Sequence, residues 1–263
     1  AEKNLSLSLG KDIPFLLNST PSTYSTSDAG NGIGYTGIRI RGSDATRINV
    51  TVNGIPYNDS ESHGVFWVNV SDLASSANSI QVQRGVGSST NGGGAFGGTV
   101  SIKTGKPSED LRVKYSSSAG SFKSFKNTLE LNSGLIKNKV NLNLRLSKID
   151  SDGYVDRASS DLKSYYASAS YYSDKTTIDL INFSGKERTY QSWWGTPEGR
   201  INNDIEEMNT VIANNGYSED QADNLLNSED LKNINKIRAV TAREATSKSD
   251  NSSLTLFAIV YLE

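Results

Sequence analysis

The chain has no cysteine, one histidine and one methionine among its 263 residues. The lack of cysteine excludes disulfide frameworks, thiolate metal sites and cysteine nucleophiles, although it fixes no compartment. No run of 18 or more apolar residues is present, which excludes a membrane-spanning helix. Neither sign of charge dominates. With 27 basic and 29 acidic residues the formal net charge is -2, so there is no basic surplus to hold nucleic acid. Hydrophobic residues make up 35%, low for a chain that buries a large core. The opening Ala1-Glu2-Lys3-Asn4 lacks the charged and apolar regions of a secretory signal.

What is present is alternation. Low average hydropathy with a regular period of two describes sheets with one apolar and one polar face. The pattern changes near Lys106-Pro107, which predicts one domain over 1–106 and a second over 107–263. In the first, residues 37–42 (Gly-Ile-Arg-Ile-Arg-Gly) and 47–53 (Arg-Ile-Asn-Val-Thr-Val-Asn) read as strands. The second of these runs into the turn dipeptide Asn53-Gly54. Ser71 is a plausible N-cap for a short helix over 72–77, whose first residue, Asp72, suits the positive helix end. Two more strands are expected at 79–84 and 99–104, and a short helix at 12–18. The sum is a small α+β domain with long polar loops.

The second half reads as long strands. Val140, Leu142, Leu144 and Leu146 share one face, and Asn141, Asn143, Arg145 and Ser147 the other. Leu111, Val113 and Tyr115 alternate with Arg112, Lys114 and Ser116 in the same way, and Phe125, Leu129 and Leu131 with Lys126, Thr128 and Glu130. Residues 162–172 and 176–184 are weaker strands rich in Tyr, Ile and Ser. Short turns at 135–139 and 173–175 alternate with a longer loop at 150–161 and a much longer one from about 187 to 249. Strands of about ten residues with this loop rhythm suit a membrane barrel. A soluble antiparallel sandwich with its apolar face inward has the same period, so periodicity alone leaves both open. In the tail, 254–262 (Leu-Thr-Leu-Phe-Ala-Ile-Val-Tyr-Leu), both faces are apolar. It reads as an altered frame, a junction or a strand covered on both sides.

Residues with chemical potential are few. His63 follows Asp59, Ser60, Glu61 and Ser62, but triad members converge from separate segments, and neighbours on one loop rarely do so. Asp59 and Glu61 lack EF-hand spacing for calcium. Gly92-Gly93-Gly94 and Gly97-Gly98 lack the Gly-Lys-Ser/Thr ending of a phosphate loop. These glycines are expected instead to let backbone pass closely beneath a neighbouring wall. No catalytic residue, metal site or cofactor is expected.

Four blocks carry a resemblance: Ile38-Arg39-Ile40-Arg41-Gly42; Val50 to Pro56 (Val-Thr-Val-Asn-Gly-Ile-Pro); Ile80 to Gly85 (Ile-Gln-Val-Gln-Arg-Gly); and Gly94 to Ile102. In this order and at this spacing they resemble the plug of TonB-dependent outer-membrane receptors. With Tyr57-Asn58-Asp59-Ser60-Glu61-Ser62 they look most like receptors from Bacteroidetes. The likeness runs from about residue 5 to 203. The family often has Asp at the place of Asn53 and Pro at that of Val86, changes that leave the turns intact.

The resemblance implies an α+β plug followed by antiparallel strands of an incomplete 22-stranded outer-membrane β-barrel. It implies energised uptake of a scarce nutrient rather than catalysis, the nutrient being a siderophore, haem, cobalamin or a glycan. Expected partners are TonB with ExbB and ExbD, outer-membrane lipid, a small-molecule or glycan ligand and a surface lipoprotein. No TonB box precedes Ala1. A barrel of about 22 strands is expected, against five or six here, and such a sheet leaves open edges. Arg41 and Arg84, each followed by glycine, resemble a lock that pairs with carboxylates on the barrel wall. Two apical loops, 25–35 and 58–67, supply the substrate-contact candidates Asp28, Asn31, Tyr35, Tyr57, Asn58, Asp59, Glu61, His63, Phe66 and Trp67. Trp193 and Trp194 are expected in a membrane-surface girdle or against substrate. The alternatives are a β-rich binding protein without transport and a hydrolase built on 59–63.

Overall fold

In a computed structural model of the chain, the described residues are 10–87, 95–105, 108–155, 158–190, 198–220, 222–223 and 248–262. They build a small mixed unit seated on one face of a long antiparallel sheet. In the small unit, β1 (Thr23–Ser27) pairs with β2 (Thr36–Ile40), and β3 (Ile48–Val52), β4 (Ile55–Pro56), β5 (Ala77–Arg84) and β6 (Gly98–Thr104) form a second sheet. Its order is β4-β3-β6-β5, with β3 parallel to β6 and the other pairs antiparallel.

Turn chemistry fixes this register. Arg41 and Gly42 both have positive φ, as do Asn53 and Gly54, the requirement of tight two-residue hairpin turns. The Asn53 amide also ties β3 to the end of β6. Its Nδ2 donates to Thr104 Oγ1 at 2.7 Å, and its Oδ1 accepts the Thr104 N–H at 2.9 Å. An aspartate there would still accept both from the amide and from a rotated hydroxyl, so the residue common in the family is compatible with the turn.

The expected strands are present with small shifts. Two were missed: the two-residue β4, and β1, which lies in a Ser/Thr-rich stretch where small hydroxyl side chains give no apolar alternation. The first short helix spans Ile13–Leu16 and continues as a 3-10 turn, Leu17–Ser19. The second spans Leu73–Ser76 rather than 72–77. Gly97 and Gly98 do lie in close approaches, but to their own domain and not to a wall. A Cβ on Gly97 would meet Ser43 Cβ at 2.6 Å, and one on Gly98 the Gln83 carbonyl at 2.5 Å. Gly92, Gly93 and Gly94 lie outside the described residues, as do Lys106 and Pro107 at the expected domain boundary.

The second half is a six-stranded meander: β7 (Leu111–Gly120), β8 (Ser124–Ile136), β9 (Val140–Ser151), β10 (Ser160–Tyr172), β11 (Thr176–Tyr190) and β12 (Lys248–Leu262). β11 runs six residues beyond its expected end, so the long loop begins only after Tyr190. Within that loop two helices, Glu198–Ile201 and Ile205–Asn215, were not anticipated. The tail continues the meander, pairing with β11 from Thr176↔Leu262 to Tyr190↔Lys248.

Burial decides which way this sheet faces. On β8 the buried side chains are Ser124, Lys126 and Thr128, and on β9 Asn141, Arg145, Ser147 and Ser151 with one apolar residue, Ile149. The apolar partners point outward: Leu111 is 75% exposed, Val113 63% and Tyr115 66%. Phe125, Leu142, Leu146 and Leu180 are also exposed. A soluble sandwich would bury these side chains and expose the polar ones. The inverted pattern belongs to a membrane barrel wall, whose lipid-facing side is apolar.

Candidate functional site

Where the small unit meets the wall, two kinds of contact coexist. The first is apolar. Ile13, Ile40, Val50, Val52, Trp67, Leu73, Val100 and Ile102 form one buried cluster with Tyr166, Ile181 and Phe183 from the wall. Tyr57 packs on Phe183 with ring centroids 5.9 Å apart.

The second is ionic and centres on Asp72. This residue precedes the helix Leu73–Ser76 in the left-handed region, with φ 58, a strained place that Asp tolerates better than most residues. Its carboxylate turns from the helix end toward the wall. It receives Lys126 Nζ at 2.6 Å, Arg145 Nη1 at 3.0 Å, Ser147 Oγ at 2.5 Å and Thr128 Oγ1 at 3.3 Å. From its own side, Ser75 Oγ donates at 2.6 Å. Lys126 also donates to Ser75, and the Arg145 Nε–H to Ser76 Oγ. Asp72, Lys126 and Arg145 are all buried. Burial alone would raise the Asp72 pKa, but the charges of Arg145 and Lys126 and the hydrogen bonds outweigh it and hold the carboxyl below its usual range. The assignment of Asp72 to helix-end stabilisation is therefore corrected: two wall cations attract its carboxylate more strongly than a one-turn helix does.

Nearby Asp12 is its opposite. It is buried, accepts from Thr36 Oγ1 at 3.1 Å and, among the described residues, forms no salt bridge. Burial pushes its pKa well up, the Thr36 hydrogen bond works against this, and the charges of Asp72 and Glu187 add to the rise.

The expected site residues fall into three groups. Asn31 and Tyr35 reach the wall: Asn31 Nδ2 donates to Ser151 Oγ at 2.8 Å and the Tyr35 hydroxyl to Glu187 Oε1 at 3.5 Å. Backbone N–H groups of Tyr154 and Val155 donate to the Ala29 carbonyl, so loop 25–35 is fastened at the ends of the wall strands. Asp28 sits in this loop, with its pKa raised by burial.

Asn58 is a clamp. Its Oδ1 accepts from the Val50 N–H at 2.7 Å, and its Nδ2 donates to the carbonyls of Ile48 and His63. Asp59 accepts from the N–H and hydroxyl of Ser62 and the N–H of Glu61, and the Ser62 N–H contributes most to holding its pKa low. Ser62 thus points at Asp59 and not at His63, so 59–63 form no nucleophile–base pair. Among the described residues no three His, Asp or Glu side chains gather as metal ligands.

Phe66, Glu61 and His63 are exposed, whereas Trp67, expected on the surface, is 3% exposed and belongs to the core. Arg41 and Arg84 are both exposed. Arg84 Nη1 lies 3.4 Å from the Pro21 carbonyl, and Arg41 Nη1 lies against Gly85. Trp193 and Trp194 lie outside the described residues. The cations Lys126 and Arg145 were read only as the polar face of strands. Their being basic on the face opposite the leucines was the signal that could have flagged them.

The fold is thus a plug-like unit latched to the polar face of an outward-apolar antiparallel wall. Residues 3–99 match the family model of the TonB-dependent receptor plug domain. That part of the chain is similar to the plug of this family, and the plug followed by antiparallel strands has the fold of the plug and barrel start in solved TonB-dependent receptors. A search of curated proteins found no match. Among solved structures, the siderophore receptor PirA from Acinetobacter baumannii is 22% identical, with TM-score 0.57, over 73% of this chain and 32% of its own. The ferric-catecholate import receptor Fiu from E. coli K12 is 17% identical, with TM-score 0.58, over 76% of this chain and 27% of its own. A P. aeruginosa FpvA–pyoverdine complex is 16% identical, with TM-score 0.56, over 69% and 24%. The chain therefore spans about a quarter to a third of the length of these structures.

Proposed function

We propose that the chain is the plug and opening wall of an outer-membrane receptor for energised uptake of a scarce nutrient. The observation that carries this reading is the seam itself. A plug held by one buried anion between two wall cations is firmly seated, yet can be released by rearrangement without breaking a covalent bond. Substrate docks outside, against Phe66, Glu61, His63 and Asp28, and TonB, with ExbB and ExbD, supplies the work that rearranges the plug. Siderophore, haem, cobalamin and glycan are the candidate cargoes. The similarity to siderophore receptors favours testing ferric siderophores first. Arg41 and Arg84, exposed at adjacent strand ends, are a second point at which the plug engages carboxylates of the wall.

The absence of cysteine from these 263 residues makes a direct test possible. Asn31→Cys with Ser151→Cys places two thiols where plug and wall side chains already touch. In cells making the receptor that carries this chain, oxidation of the pair is expected to stop uptake of labelled ferric siderophore, and reduction to restore it. Uptake that continues at full rate in the cross-linked receptor would contradict a moving plug.

A further inference from the structure

One residue of the wall is not explained by the wall itself. Gly185 stands inside β11, where a glycine weakens a strand because it has no side chain to pack. It is not among the glycines with positive φ, and its pairing with Ser164 and Ser253 is regular, so neither a turn nor a bulge calls for it. The plug does. A Cβ on Gly185 would lie 2.8 Å from the Asn69 carbonyl oxygen, 3.4 Å from its carbon and 3.6 Å from Ser71 Oγ. The nearest of these atoms is backbone, which cannot swing aside as the tip of a side chain can. Asn69 lies in a 3-10 turn, Trp67–Val70, whose Trp67, Val68 and Val70 are all buried, so the turn has little room to retreat.

The same level of the wall is small throughout. Strand register places Thr128, Ser147, Ser164 and Gly185 side by side across β8, β9, β10 and β11, on the face toward the plug. The level above reads Lys126, Ile149, Leu162 and Glu187, and the level below Glu130, Arg145, Tyr166 and Phe183. A shallow trough therefore runs between two rows of large side chains, and the plug backbone from Asn69 to Asp72 lies along it. At one end the Asn69 carbonyl rests on Gly185. At the other, the Asp72 carboxylate accepts from Thr128 and Ser147, while Arg145 Nη1 reaches both Asp72 at 3.0 Å and Ser164 at 3.2 Å. The two ends belong to one short buried segment, so lifting the first lifts the second.

We propose that Gly185 is a positioning residue for the ionic latch: it sets the depth at which the plug rests and thereby brings Asp72 between Lys126 and Arg145. A side chain at this position raises the Asn69 carbonyl and draws Asp72 away from the wall. The latch contacts are short, 2.6 and 3.0 Å, so they have the most to lose from such a lift. The seat is a property of the resting receptor, and its use in uptake rests on the function proposed above.

The test is hydrogen exchange of the receptor carrying this chain, without cargo, in wild type, Gly185→Ala, Asp72→Asn and the double variant. Overpacking by one methyl shifts the balance between seated and lifted plug about 5- to 150-fold, so peptides covering 67–76 should exchange faster by that order in Gly185→Ala. Alanine favours a strand over glycine, so peptides of β10 and β11 should exchange no faster than in wild type. In the Asp72→Asn background the same substitution should add less than about twofold, because the contact it spoils is already lost. Exchange of 67–76 within about twofold of wild type in Gly185→Ala overturns the proposal. A matching rise in β10 and β11 also overturns it, since Gly185 would then serve only the strand. Fully additive effects of the two substitutions overturn it too, by separating the seat from the latch. Ser147→Thr adds a methyl to the same trough and keeps the hydroxyl, so it repeats the test where Gly185→Ala does not assemble. Ferric siderophore uptake by the wild-type receptor is measured separately, and its absence would refute the transport reading while leaving the seat intact.

Discussion

Replacing Asp72 by asparagine should loosen the plug from the wall more than any other single change at the seam. The site holds one anion and two cations, all buried. The asparagine side chain would keep the shape and accept some of the same hydrogen bonds, but it would leave Lys126 and Arg145 facing each other without a counter-charge. Removing one partner of a buried ion pair costs roughly 3–5 kcal/mol. This amounts to a shift of about 10² to 4 × 10³ in the docking equilibrium. The charge count also sets an order. Lys126→Met leaves a neutral Asp72–Arg145 pair and should be milder, and the double variant should recover part of the loss. The assay is hydrogen exchange of peptides covering the helix Leu73–Ser76 and the buried half of β8, in the receptor carrying this chain. Wild-type exchange in the asparagine variant, or a Lys126→Met variant as damaging as Asp72→Asn, would refute the electrostatic account. Because the Asp72 pKa is depressed in the folded state, its contribution is complete above the ordinary carboxylate range and is lost only as pH falls through the folded value. The contrast between variants should therefore be undiminished at neutral pH.

Asp12 should behave in the reverse sense. Its folded pKa is raised, so its stabilising influence is greatest below the unfolded value and declines as pH rises toward the folded one. Asp12→Asn, which can still accept from Thr36, should raise thermal stability at neutral pH and have little effect near pH 3. A variant less stable at neutral pH would show that the carboxylate has an ionic partner. At the second contact, Arg41→Ala with Arg84→Ala should lower ferric siderophore uptake at least tenfold while leaving the hydrogen exchange of β3 and β6 unchanged. Uptake at the wild-type rate would leave these arginines as solvated strand ends.

Much of the fold was legible because its signals are local. Asn53-Gly54 marks a turn through backbone conformation alone, and the leucine alternation of β9 marks a strand whichever way it faces. Which face meets lipid was not legible, since a period of two carries no sign. Only the burial of Lys126 and Arg145 against the plug supplies it. The extra length of β11 was hidden by Gly185, Lys186, Glu187 and Arg188, which look like loop residues until the wall gives each a side. The candidate site was read least well. Asp72 has a sufficient local role beside a short helix, and nothing within ten residues announces cations that lie 54 and 73 positions further along the chain. Trp67 was misplaced for a related reason: an aromatic at the end of a polar loop reads as exposed until the core that receives it is known.

The position of Asp12 has a mechanical consequence. Together with Lys11, Trp67, Asp72 and Leu73 it lines a small void just behind the ionic seam, and Lys11 and Asp12 come first of these along the chain. Tension applied from the N-terminal side therefore reaches Asp12 before it reaches any of the described strands. Such a load peels. It draws out one residue and lets water in behind Asp72, and only then strains the weakened contact between Asp72 and its two cations. A load spread over the whole domain would have to shear the ionic and apolar contacts at once. With peeling, the force required is set by the single hardest step and not by the sum, so a seam strong at rest can yield to a modest pull from one end.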